Sequence, residues 1–196
     1  MTLAFEKCGV TYSECKSCGS LFAPSRPSED ALADYYRQSA PARFMREQMM
    51  SSGTQARREK LIRPRADWIE AGISEYLPHA TRLVDMSANG RELLDLLASE
   101  SLTLHTILAA SGVADLDGVT TSRIKVLPTR VADLPSLGPV DVIVAIDALD
   151  RAFDCGKLIK AWAQMLVPGG IIFATVPVAS GFDEMNGLRY TPLTPV

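Results

Sequence analysis

The sequence predicts an α/β fold in which helices cover both faces of a parallel sheet of about five strands, and three observations predict it. From Thr81 onward, short apolar runs alternate with amphipathic, helix-like segments. The run Val140 to Ile146 is apolar at nearly every position, as a strand buried on both faces requires. Gly169-Gly170 then leads into another apolar run, Ile171 to Val178. Buried runs separated by helical segments imply parallel strands joined by crossover helices.

Three stretches follow along the chain. Residues 1–27 read as a β-hairpin: Phe5-Glu6-Lys7, a turn near Cys8-Gly9, Val10-Thr11-Tyr12, then a knuckle at Cys15-Lys16-Ser17-Cys18-Gly19, closed by Pro24 and Pro27. Residues 28–78 read as a helical cap. Ser28 with Glu29 and Asp30 is an N-terminal capping pattern, and Ala31-Leu32 with Tyr35-Tyr36 has helical apolar spacing. A second helix is predicted over 41–62, with Pro64 marking its end or the start of the next. That next helix, Arg65 to Tyr76, carries Trp68, Ile69 and Ile73 on one side. Tyr35, Tyr36 and Trp68 are expected in the core between cap and sheet. Residues 79–196 hold the α/β segment. Its strands are Arg82–Met86, Leu104–Ala110, Ile124–Leu127, Val140–Ile146 and 171–178, with helices over Arg91–Ser99 and Gly156–Leu166.

The bulk properties bound the function. A length of 196 residues suits one α/β domain with a small appendage. With 47% hydrophobic and 22% charged residues the composition is that of a soluble globular chain. A net charge of −3 argues against a general nucleic-acid or membrane-surface binder. No segment approaches the ~18 unbroken apolar residues of a membrane span. The opening MTLAFEKCGV has neither the basic nor the apolar region of a secretory signal. Four cysteines, two of them in a C-x-x-C, suit a reducing cytoplasm, which is the expected location.

Particular motifs then carry a family resemblance. Val140-Asp141-Val142-Ile143-Val144-Ala145-Ile146-Asp147-Ala148-Leu149-Asp150 resembles the fourth strand, and the turn after it, of class I S-adenosylmethionine-dependent methyltransferases. Leu166-Val167-Pro168-Gly169-Gly170-Ile171-Ile172-Phe173 is similar to that family's "PGG" turn and fifth strand, and Ala132-Asp133-Leu134-Pro135 to its acidic loop before strand four. The stretch from Tyr12 to Tyr36, with Ala56 to Ile69, resembles the zinc-ribbon-headed subgroup, here without the first C-x-x-C. The resemblance implies a Rossmann-like sheet of order 3-2-1-4-5. It also implies two further strands. The sequence carries eighteen residues beyond Val178, and the prolines near its end do not suit a central strand. The fifth strand is therefore expected to be an open apolar edge, covered by the tail or by another protein subunit.

Departures from the family pattern point away from its ordinary reaction. Members of the family carry a glycine-rich turn after strand one, because the backbone passes close to the cofactor and a Cβ would block the approach. Here that turn reads Asp85-Met86-Ser87-Ala88-Asn89-Gly90. The resemblance also calls for a carboxylate after strand two to hold the ribose, where this chain has Leu108-Ala109-Ala110-Ser111. A degenerate, repurposed or pseudo-methyltransferase without a cofactor is the expectation, acting as a subunit of a heteromeric biosynthetic enzyme on an anionic small molecule by elimination or ring closure. An active methyltransferase of a small metabolite, holding S-adenosylmethionine through Asp85, Asn89, Gly90 and Asp133, is the first alternative. A non-catalytic structural partner of an enzyme is the second.

Candidate side chains fall into three groups. Cys15 and Cys18 form half a zinc knuckle, with Cys8 as a possible third ligand; a remnant knuckle without metal is the plainer alternative. Between Arg37 and Glu70 eight cations (Arg37, Arg43, Arg46, Arg57, Arg58, Lys60, Arg63, Arg65) outnumber four acids. The resemblance places Arg57, Arg58 and Arg65 beside the substrate pocket, where guanidinium groups would hold carboxylate, phosphate or sulfate; a solvated, ion-paired helix face is the alternative. Asp85, Asp147 and Asp150 sit at the carboxyl ends of strands one and four, the topological switch point of the expected sheet, and supply candidate general bases. For Asp147 and Asp150 the alternative is N-capping of the following segment.

Overall fold

The computed structural model describes residues 1–7, 9–44, 54–87, 91–101, 103–109, 124–126 and 131–176. The N-terminal strands β1 (Thr2–Lys7), β2 (Val10–Glu14) and β3 (Leu21–Phe22) form an antiparallel sheet in that order. Phe5 stacks on Tyr12 at 4.9 Å across the first pair. The Cys15–Gly19 turn is closed by the Gly19 N–H donating to the Cys15 carbonyl at 2.8 Å.

Helix α1 (Glu29–Gln38) starts as its sequence dictates: the Ser28 hydroxyl accepts the Ala31 N–H. After α2 (Ala40–Phe44), α3 (Thr54–Arg57) runs through a wide π turn at Arg58–Ile62 into α4 (Arg63–Tyr76). Pro64 thus falls in the first turn of α4, and it does not break the helix. It has no N–H to donate, and the widened turn before it relieves the crowding its ring would cause in a regular helix.

The second sheet is wholly parallel: β4 (Arg82–Asp85), β5 (Thr106–Ala109), β6 (Ile124–Val126), β7 (Val140–Ile146) and β8 (Leu166–Thr175). Its order is β6-β5-β4-β7-β8, which is 3-2-1-4-5 counted along the chain. Helices α5 (Arg91–Glu100) and α6 (Cys155–Met165) flank it. Period-two alternation sends neighbouring side chains to opposite faces. Leu83, Val142, Val144 and Phe173 meet Leu94 and Leu97 of α5 and Ile62, Ala66, Ile69 and Ile73 of the π turn and α4. Val84, Ile143 and Ala145 meet Leu158, Ala161, Trp162 and Met165 of α6 on the other face. Burial on both sides explains the nearly unbroken apolar run of β7.

Two expectations for single elements need correction. Tyr35 and Trp68 are not core residues: they are 46% and 47% exposed. Trp68 makes a T-shaped contact with Phe173, with ring centroids 5.1 Å apart. The PGG segment belongs to β8 as an irregularity inside the strand, because Val140 pairs with Leu166 while Val142 pairs with Ile171. Gly169 there has φ +85°, which a side chain would strain, and a Cβ on Gly170 would lie 2.9 Å from the Asp141 carbonyl. Both glycines are needed for that loop-out.

Candidate functional site

Strands β4 and β7 are neighbours whose outward connections run in opposite directions, so their carboxyl ends open a crevice. A cleft of about 100 Å³ lies there, lined by Arg57, Leu61, Ile62, Arg65, Ser87, Leu93, Ile146 and Asp147. The π turn contributes directly: Leu61 and Ile62 belong to it, and Arg57 and Arg65 flank it.

Asp147 is the most constrained of these residues. Its backbone has φ +53°, a left-handed conformation that is uncommon outside glycine and most tolerable for Asp and Asn. Its N–H donates to the Thr175 carbonyl at 3.2 Å and to Thr175 Oγ1 at 3.1 Å. The Thr175 hydroxyl in turn donates to Asp147 Oδ1 at 2.8 Å. Arg65 Nη2 approaches the other carboxylate oxygen at 3.3 Å. The Arg65 and Asp147 side chains are 25% and 36% exposed, so this pair contributes about 0–1 kcal/mol to stability. Arg57 makes a closer contact, 2.9 Å, with Glu92 in the first turn of α5.

Ser87, also in the lining, links the ends of β4 and β7. Its N–H donates to Asp85 Oδ1 at 2.9 Å, and its hydroxyl oxygen accepts the Ile146 N–H at 3.0 Å. Asp85 is 3% exposed, and burial pushes its carboxyl up to about 6 despite the opposing hydrogen bonds from Ser87.

The cleft therefore gathers Arg57, Arg65 and Asp147. Asp85 lies beneath it, behind Ser87, and does not line it. Arg58, one helical step beyond Arg57, is exposed and outside the lining. Asp150, in the short 3₁₀ turn Leu149–Arg151, and Asp133, in the 3₁₀ segment Val131–Leu137, are also exposed and outside it. Neither Asp147 nor Asp150 caps α6; Asp154 does, accepting the Lys157 N–H at 2.9 Å. Asn89, Gly90 and Cys8 lie outside the described residues. Cys15 and Cys18 share the knuckle, where hydrogen bonding with Ser20 and then with Cys15 holds the Cys18 thiol below its ordinary range. Among the described residues no three His, Cys, Asp or Glu side chains cluster to hold a metal ion. Sequence reasoning missed Thr175, Ser87 and Glu92. A polar residue at the carboxyl end of an apolar strand was the available signal for the first two.

Neither a family model nor a curated protein sequence matches the chain. Solved structures do. BpumL, the plantazolicin methyltransferase in complex with SAH, superposes with a TM-score of 0.56 at 12% identity, over 74% of this chain and 56% of its own. The sugar N-methyltransferase KedS8 from a Streptoalloteichus species gives 0.52 at 19%, over 66% and 54%. SAM-bound CalS10, an amino pentose methyltransferase from Micromonospora echinaspora involved in calicheamicin biosynthesis, gives 0.51 at 16%, over 64% and 55%. The chain spans a little over half the length of these structures. At such identities the likeness establishes the fold: the chain has a Rossmann-like, class I methyltransferase-like architecture.

Proposed function

We propose that the chain uses this scaffold to hold an anionic small molecule in the switch-point cleft, as a subunit of a heteromeric biosynthetic enzyme, and does not carry out ordinary methyl transfer. The observation that carries the reading is the convergence of Arg57, Arg65 and Asp147 on one cleft between the cap helix and the sheet. The guanidinium groups would hold a carboxylate or phosphoryl group, and Asp147, fixed by Thr175, would take a proton in an elimination or ring closure. Such chemistry needs positioning and a base.

One feature of the turn after β4 favours the reading without S-adenosylmethionine. The Ser87 side chain, tied to Ile146, stands just after β4, in the turn where the family pattern has glycine. The partner subunit rests on β8. Among the described residues no strand pairs with its outer edge, and Ile172 and Val176 are 37% and 48% exposed. The same edge serves a purely structural partner equally well. The hairpin 1–27, cap 28–78 and α/β segment 79–196 are proposed as the units of this arrangement. No helix among the described residues is long and apolar enough to cross a membrane.

A working methyltransferase is the second reading, favoured by the SAM and SAH bound in CalS10 and BpumL. Titration calorimetry with S-adenosylmethionine and S-adenosylhomocysteine separates the two. No heat at micromolar ligand is expected; saturable micromolar binding, lost in Ser87→Trp but not in Arg65→Gln, would establish the second reading.

A further inference from the structure

Arg65 already holds an anion, the Asp147 carboxylate, and that pair has the features of an exchangeable one. It rests on a single contact at 3.3 Å. Asp147 does not depend on it, because the Thr175 hydroxyl and backbone hold Asp147 from the other side. Both partners line the cleft and are partly open to solvent. Arg57 is different: its contact with Glu92 is shorter, 2.9 Å, and both of those side chains are 23% exposed.

We propose that Asp147 is the internal occupant of an oxyanion site at Arg65. A ligand carboxylate or phosphoryl group takes over the guanidinium, while Asp147 stays docked on Thr175 with Oδ2 released toward the bound molecule. The inference rests on the reading of the cleft as an anion-binding site. It goes further by assigning the anion to Arg65 in preference to Arg57, and by making Asp147 the competitor the ligand must displace. Proton acceptance by Asp147 then becomes available only after exchange, since beforehand both of its oxygens are engaged.

The variant that tests this is Asp147→Asn. Asparagine tolerates the left-handed backbone and still accepts the Thr175 hydroxyl, but it brings no charge to compete for Arg65. Inorganic phosphate and acetate are titrated separately into the full chain by calorimetry at constant ionic strength, with near-UV circular dichroism confirming the fold of each variant. Asp147→Asn is expected to bind one of these anions about tenfold more tightly than the parent, because a like charge has been removed from beside the ligand. Arg65→Gln is expected to abolish that binding, and Arg57→Gln to weaken it by much less than Arg65→Gln does. The anion bound more tightly names the ligand class as phosphoryl or carboxylate. Binding unchanged by Asp147→Asn, or lost in Arg57→Gln but kept in Arg65→Gln, overturns the exchange while leaving an arginine-lined anion cleft intact. Neither anion binding to the parent or to Asp147→Asn sinks the exchange and the anionic-ligand reading together.

Discussion

Asp85 concentrates the electrostatic tension of the site. It is buried under the cleft, and desolvation raises its carboxyl from 3.8 to about 6. In the folded state it therefore holds its proton over a pH range in which the unfolded chain has lost it. Stability is greatest below about pH 4 for this group, falls as pH rises through 6, and is flat above. The rise corresponds to about 3 kcal/mol of ionisation penalty at neutral pH. Asp85→Asn keeps an acceptor for the Ser87 N–H and removes the charge, so its melting temperature at pH 7 is expected to exceed the parent's. The gap should close toward pH 4 in melts followed by circular dichroism; a pH-independent gap would show that the charge is not the cause. At this scale the sequence exposed charged residues more readily than hydroxyls. Arg57, Arg65 and Asp147 stand out as charges in a cationic stretch and after an apolar strand. Ser87 and Thr175 are single hydroxyls whose meaning appears only when β4, β7 and β8 end side by side.

Elements were legible where periodicity is strong and hidden where two elements press together. The apolar runs of β4, β7 and β8 and the i, i+3, i+4, i+7 spacing of Leu158, Ala161, Trp162 and Met165 in α6 announce their structures. The closeness of α4 to β8 does not show in either segment alone. A Cβ on Gly72 would sit 2.6 Å from the Phe173 ring, and that ring is held edge-on by Trp68. Gly72 is thus what lets the helix approach the strand. Gly72→Ala gains about 1 kcal/mol of helix propensity but overpacks a buried aromatic contact at a cost of about 1–3 kcal/mol. Net destabilisation in urea unfolding is expected, with part of it recovered when Phe173→Leu is added. A net stabilisation by Gly72→Ala would mean that α4 sits farther from the sheet than described.

For the molecule as a whole, the cap helix and the sheet share one core. Ile62, Ala66, Ile69 and Ile73 lie in the same buried cluster as Leu83 of β4, Val144 of β7 and Leu94 and Leu97 of α5. The cleft forms along this seam, so the positions of Arg57 and Arg65 relative to Asp147 depend on the cap being seated. Amphipathic spacing alone made the inner face of α4 visible in the sequence, but not which surface it meets, because that depends on pairings distant along the chain. If the seam is one cooperative core, a lesion in the cap must destabilise the sheet as well. Ile69 is fully buried, and Ile69→Ala is expected to cost about 2–5 kcal/mol. Far-UV circular dichroism and tryptophan fluorescence, which reports Trp68 on the cap and Trp162 on α6 across the sheet, should then shift to lower urea by the same amount in a single transition. Separation of the two transitions in the variant would show that the cap docks on an independently stable sheet. Ligand binding at the cleft would then be coupled to docking of the cap.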